Sequence, residues 1–358
     1  MHTYDFIVIG AGQAGLAAGY YLQQAEQRFL LLDAHARVGD SWRNRWEGLR
    51  LFSPQRYNAL PGLPPPGDPW HLPDRLEVAT YLEGYAEHFG FPVRSHCTCL
   101  RATRVADNWL LETTLGTFSS RRLIVATGAY RTPSIPRELA AEFPPRIRQY
   151  HAAEIRSVAD VVDASTSVLV VGAGASGQQL ARLALATGAE VLLAGPNLPN
   201  LPRTLLGRDT YWWLYRSGLM TLRSDRFPGK YLRGGDGDVT VGEARLSEVR
   251  RYATEVSGYS NEKLTFRCRK TVPRPVPWPT FGRRGVVLWC TGYANTYPFL
   301  PADALDDTGQ PRHTAGLSDR LPGLAFLGLP HLLRSNSSLI GGVGEDARRV
   351  VGQLMTES

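Results

Sequence analysis

Two stretches of the sequence place glycines at a fixed spacing behind an apolar run, GAGQAG at residues 10–15 and GAGASG at residues 172–177. Glycine at the first position permits a tight turn, at the third it lets the backbone approach a pyrophosphate, and at the sixth it lets a helix pack closely on the preceding strand. A pyrophosphate on such a turn rests on free N–H groups at a helix N-terminus, where the helix dipole favours an anion. In the first copy Gly10, Gly12 and Gly15 take these positions, with Gln13 and Ala14 between them. Asp33 ends the next apolar run, placed to accept hydrogen bonds from an adenosine ribose, with Ala34 beside it.

The second copy has Gly172, Gly174 and Gly177, with Ala175 and Ser176 between, and differs where selectivity is set. Counting 23 residues on from Gly10 reaches Asp33, whereas 23 on from Gly172 reaches Gly195. Losing that acid removes repulsion against a 2′-phosphate, and Arg203 or Arg208 could supply a counter-charge, Arg203 being the one favoured. Two dinucleotide sites with different ribose ends suggest FAD at the first and a nicotinamide nucleotide, NADPH or NADH, at the second. Hydride would then pass from the nicotinamide to the flavin.

The elements around each turn fit this reading. DFIVIG at 5–10 has a buried-strand pattern, residues 14–24 have helical spacing, and RFLLLD at 28–33 is a second strand, together one βαβ unit. Residues 167–195 repeat it element for element. The proline-rich stretch 61–73 predicts an extended surface loop, and residues 76–89 a helix. RRLIVATGAYRTP (121–133) and RGVVLWCTGYANTYP (284–298) are two similar strands running into turns, and LAFLGL (324–329) is a last strand before a helix from about Glu345. Residues 223–283 are irregular and polar, and support no assignment.

The 358 residues predict two domains or one domain with an insertion. A net charge of +7 comes from 37 Arg and 3 Lys against 33 acids, scattered without a basic tract, which argues against nucleic-acid binding. Cys97, Cys99, Cys268 and Cys290 include no CxxC pair, which argues against a dithiol centre, a zinc ribbon or an iron–sulfur site, and no metal is expected. With no membrane-spanning run and no leader pattern, the expectation is a soluble, cytoplasmic protein without membrane contact. Trp212 and Trp213 could line a homodimer face or serve as core.

GDSWRNRWEGLRLFSP at 39–54, ATG at 126–128, GAGASG at 172–177, CTGY at 290–293 and GVGEDA at 342–347 follow one another in the order seen in flavin-containing monooxygenases. The chain resembles that family over nearly its whole length, most strongly its short bacterial CzcO-like branch. The resemblance implies an α/β fold with two dinucleotide-binding, Rossmann-like domains, the nicotinamide domain inserted into the FAD domain. The expected spans are 1–160 and 293–358 for FAD and 161–292 for NAD(P)H. It also implies that Ser41 and Trp42 lie near the flavin, that Ala126, Thr127 and Gly128 mark a crossover beside it, and that the region from Ile340 to Asp346 closes its far side. Cys290 reads best as a small buried hydrophobe.

Three departures bear on the activity. Of the family fingerprint only His151 survives, with Pro145, Ile147 and Ile155 at its other positions, and no acid–base partner stands beside it. Counted back from Pro61, the flavin-side asparagine of the animal enzymes becomes Phe52, which lacks an amide's hydrogen bonds. The chain is also short for Baeyer–Villiger oxygenation. The leading expectation is an FAD-dependent, NAD(P)H-oxidising monooxygenase that carries one atom of O2, through a flavin C4a-hydroperoxide, to a small sulfur or nitrogen nucleophile. Its rivals are an NAD(P)H oxidase or flavin reductase that yields peroxide, and an accessory protein that binds FAD without catalysis. A disulfide reductase is disfavoured because no cysteine pair lies beside either turn.

Overall fold

β-Branched and aliphatic runs set up two sheets with parallel cores, each core buried on both faces, as continuous apolar strands require. The computed structural model describes residues 3–196, 200–223, 240–241, 249–252, 254–267, 275–280 and 282–356. In the first sheet the strand Thr3–Ile9, with Phe6, Ile7 and Val8 fully buried, lies between Phe29–Leu32 on one side and Gly116–Val125 on the other. Val93–Arg94 extends it beyond Phe29–Leu32, and Leu324–Phe326 beyond Gly116–Val125, all in parallel register. An antiparallel meander, Cys99–Val105 to Asn108–Thr113 to Gly116–Val125, is attached to the same sheet and was not anticipated.

The second sheet runs Arg250–Tyr252, Glu190–Ala194, Thr166–Val171, Arg284–Trp289, Arg148–His151, and every pairing in it is parallel. Each sheet has its glycine-turn strand third, so the order of the first five is repeated. The difference lies in the fifth strand. The first sheet receives it from far downstream, as Leu324–Phe326, and the second from upstream, as Arg148–His151. The second sheet therefore takes one strand from ahead of residue 161. The crossing itself is a short ribbon pairing Thr132–Pro133 with Tyr293–Ala294, next to the expected boundary at 292.

Helices follow the predicted pattern. Gln13–Gln24 and Ala175–Ala186 follow the two turns, and Arg75–His88 starts on a capping box in which Asp74 accepts from Leu76 and Glu77 and Glu77 closes back on the Asp74 N–H. The last helix, Val343–Thr356, begins two residues before Glu345 and packs on Gln13–Gln24. Residues 49–52 form no strand, and a single bridge, Arg50 to Asp74, is their only β-pairing among the described residues. Within 223–283 the described residues include an antiparallel sheet of Val256–Ser260, Lys263–Phe266 and Val276–Pro277. Its hairpin turns at Asn261 and Glu262, φ +48° and +58°. This sheet closes a second apolar core, where Phe143 stacks on Tyr259 at 4.7 Å and meets Trp278 and Trp289 edge-on. Cys268 lies outside the described residues. Among them no helix is long and apolar enough to cross a membrane.

Candidate functional site: two glycine turns at two sheet switch points

The two turns are built from the same bonds. Gly10 donates to Leu32 O and Gly172 to Ala194 O, both at 2.7 Å, and φ at the two glycines is +105° and +107°. Each sits where the strand order reverses, the place at which open α/β sheets bind ligands. There the neighbouring strand ends on a matching tripeptide: Ala126 N donates to Ile9 O at 2.8 Å, and Cys290 N to Val171 O at 2.7 Å. ATG at 126–128 and CTG at 290–292 are thus counterparts, and Cys290 fills the small position of Ala126. Burial pushes its thiol up to about 12.

The glycines answer to two different demands. A Cβ on Gly10 would enter the carbonyl of Ala126, and one on Gly172 that of Cys290. A Cβ on Gly15 or Gly177 would strike the carbonyl of Gly10 or Gly172. At Gly12 and Gly174, by contrast, no described heavy atom lies within 4 Å of an added Cβ. These two open directly in front of helix starts that no side chain caps, so the first N–H groups of both helices face the clearing. Two cradles of free N–H groups are what a pyrophosphate requires.

The turns part company one strand later. Asp33 accepts from Ala11 N at 2.7 Å through one oxygen and from His35 N and Nδ1 at 2.8 and 2.9 Å through the other. Burial opposes its charge, yet the hydrogen bonds from His35 and Ala11 hold the carboxyl below its usual range. A side chain on Gly195 would meet the N of Ala173, the counterpart of Ala11, at 2.6 Å. The second turn has lost its acid and closed the space that held it. Arg203 is engaged with Phe52 O at 2.8 Å, Val241 O at 3.1 Å and Asp209 at 3.5 Å; Arg208 is exposed, over the ring of Trp212.

The other segments expected at the first site are held by separate contacts, and one of them is tied directly to the turn. Gly39 approaches Ala79 O so closely that a Cβ would stand 2.5 Å from it, and this seats the short helix Asp40–Arg43 with Ser41 exposed and Trp42 half-buried against the core. Gln13 Nε2 donates to Ser338 O at 2.8 Å, tying the turn to the C-terminal loop. That loop lies hard on residues 57–61: a Cβ on Gly341 would strike Tyr57 O, and one on Gly344 would stand 2.7 Å from Pro61 Cγ. It buries Ile340 and Asp346. Neither carboxylate oxygen of Asp346 has a hydrogen-bond partner among the described residues, and burial pushes the acid up to about 6, against the pull of Ser337 and Arg334. Asn336 Oδ1 is likewise buried without a partner. Phe52 is half-buried with its ring stacked at 6.3 Å on Tyr211 of the helix Thr210–Arg216.

Arg45 was not anticipated. Its guanidinium lies over the rings of Tyr130 and Tyr293, at 5.1 and 5.2 Å, and donates to Tyr293 Oη at 2.5 Å. Each tyrosine follows one of the TG turns, and that repetition was the available signal. His151 belongs to the same crossing. It is fully buried, its Nδ1 accepts from Ala153 N at 3.1 Å, and its Nε2–H therefore donates to Gly292 O at 3.0 Å. Both nitrogens are engaged and burial lowers its pKa, so the ring is a neutral structural tie.

Residues 7–201 match the family model described as pyridine nucleotide-disulphide oxidoreductase. A protein of Geobacillus kaustophilus (strain HTA426), named uncharacterized oxidoreductase CzcO-like, is 32% identical over 358 residues, 99% of each chain. An Arabidopsis thaliana protein named probable indole-3-pyruvate monooxygenase YUCCA1 is 31% identical over 215 residues, 57% of this chain and 50% of its own length. Among solved structures, a flavin-containing monooxygenase from Stenotrophomonas maltophilia superposes with a TM-score of 0.74 at 24% identity, over 99% of both chains.

The buried Asp346 makes a signed prediction. Its folded pKa of about 6 exceeds the ordinary 3.8, so between these values the folded chain binds more protons and stability falls as pH rises. Asp346→Asn should match the parent near pH ~4 and exceed it by on the order of 2 kcal/mol above pH ~7, in urea unfolding of the ligand-free protein. A substitution that destabilises equally at both pH values would contradict this.

Proposed function

The chain belongs to the pyridine nucleotide-disulphide oxidoreductase family, and we propose that it is an FAD-dependent, NAD(P)H-oxidising monooxygenase acting on a small sulfur- or nitrogen-bearing substrate. The observation that carries this reading is the pair of clearings at Gly12 and Gly174, each before an uncapped helix start and only the first backed by an acid. FAD would lie on the first turn and the nicotinamide nucleotide on the second. Bound FAD supplies hydride acceptance and the activation of O2 for transfer of one oxygen atom.

The chain's own residues bind, orient and exclude water. Asp33, ionised and fixed by Ala11 and His35, offers its remaining lone pairs to an adenosine ribose. Asp346 and Asn336 carry buried oxygens with no hydrogen-bond partner among the described residues, suited to accept from hydroxyl or N–H groups of the cofactor. Ala126, Thr127 and Gly128 follow the switch strand beside the first turn, and Trp42, packed against the core, would wall the site. The closed acid position at Gly195 favours NADPH over NADH, since nothing there competes for ribose hydroxyls or repels a 2′-phosphate. Since Arg203 is already engaged, Arg208 is the better placed of the two to meet that phosphate.

Oxygen is favoured over a disulfide as the electron acceptor, because burial pushes the Cys99 and Cys290 thiols up to about 12 and leaves them poor nucleophiles at neutral pH. Phe52 supports a second reading, peroxide release, because its ring offers no hydrogen bond to a reactive oxygen species.

Turnover of a panel of sulfides and amines under labelled dioxygen, with NADPH as donor, tests the proposal. One labelled atom should enter a product. Peroxide formed in step with NADPH consumption and no label in any product would replace it with the second reading. The turns can be tested separately, because an added Cβ at Gly12 or Gly174 meets no described protein atom. Gly12→Ala should fold normally yet purify with little flavin. Gly174→Ala should keep its flavin and raise KM for the nicotinamide by about tenfold or more.

A further inference from the structure

On the outer side of the loop that carries Asp346, the chain gathers four arginines around one cavity. Arg223 bridges to Arg334 across an antiparallel contact, and Ser335 N donates to Leu222 O at 3.0 Å. Ser337 Oγ accepts from Leu333 N at 3.0 Å and Arg334 N at 2.9 Å, fixing the backbone that presents Arg334. Arg348 and Arg349 approach from the Val343–Thr356 helix. With Leu333 and Glu345 these residues line a cavity of about 240 Å³.

Among the described residues of the lining, Glu345 is the one carboxylate, and it serves two guanidiniums, at 2.5 Å from Arg348 Nη2 and 3.5 Å from Arg334 Nη2. Guanidiniums that share one concavity repel one another, and an anion between them relieves that repulsion. Guanidinium forks match the paired oxygens of phosphoryl and carboxylate groups. The volume lies below the usual 300–1,000 Å³ range for larger ligands, so a dinucleotide is too big and a small anion fits.

We propose that this cavity binds a small oxyanion carrying at least two charged oxygens, a phosphoryl group or a dicarboxylate, at a site separate from both glycine turns. It is built from side chains rather than helix N–H groups, and it goes beyond the proposed oxygenation. Because Arg334 and Glu345 flank Asn336 and Asp346 in sequence, a bound anion would also clamp the loop that covers the first turn.

Calorimetric titration of the purified flavin-loaded protein with inorganic phosphate, and separately with malonate, tests the site. One saturable event should appear with at least one of them, and which of them binds tells a phosphoryl ligand from a dicarboxylate. Arg223→Gln and Arg348→Gln should each weaken it about tenfold or more, with Arg348→Lys recovering part of the loss. Arg348 has 60% of its side chain exposed, so its substitution should leave the melting temperature unchanged. Glu345→Gln should change affinity in the opposite direction, tightening it several-fold, which general damage to the fold would not do. Absence of saturable binding by either anion overturns the proposal, as does an affinity that neither arginine substitution alters.

Discussion

In each half of the molecule the carbonyl at the end of one strand lies where the Cβ of the adjoining strand's turn residue would be: Ala126 over Gly10, and Cys290 over Gly172. The hydrogen bonds Ala126 N to Ile9 O and Cys290 N to Val171 O join the two central strands of each sheet there, where the strand order reverses. The close contact also aims the next helix start outward. The second close contact, of Gly15 or Gly177 with the carbonyl of Gly10 or Gly172, brings the helix down onto the strand. The two candidate dinucleotide sites follow from those contacts, because they leave the uncapped N–H groups facing the open ground at Gly12 and Gly174.

On this shared frame the two halves diverge by one side chain and its space. Asp33 is held ionised by hydrogen bonds from its own turn and from His35, whereas at Gly195 the backbone of Ala173 has moved into the vacated position. The crossing between the halves is equally specific. Tyr130 and Tyr293, each just past a TG turn, enclose Arg45, and neutral His151 is tied to Gly292 beside them. The two cradles are thereby held by short-range contacts rather than by a flexible linker, as the transfer of a hydride between two bound rings demands.

The turns, their strands and their helices were legible because each is a local pattern repeated twice, and because Asp33 and Gly195 fall at the same count from their turns. The Cys99–Val105 and Asn108–Thr113 strands were missed because their alternation is broken by polar residues on both faces. Arg148–His151 was missed for its length: four residues carry no readable period, and its place in the second sheet depends on Arg284–Trp289 far downstream. Long-range contacts left little trace. Nothing around Gly341 announces that it presses on Tyr57, and nothing around Arg203 announces that it holds Phe52. The Asn261–Glu262 hairpin was legible in principle, since asparagine tolerates the left-handed region its turn requires.

If the two turns hold an electron donor and an electron acceptor within reach of each other, anaerobic stopped-flow mixing of the purified, flavin-loaded protein with NADPH should bleach the flavin absorbance rapidly, in a single phase and at a rate that saturates with NADPH. A tightly bound flavin that stays oxidised in the presence of excess NADPH or NADH would contradict this.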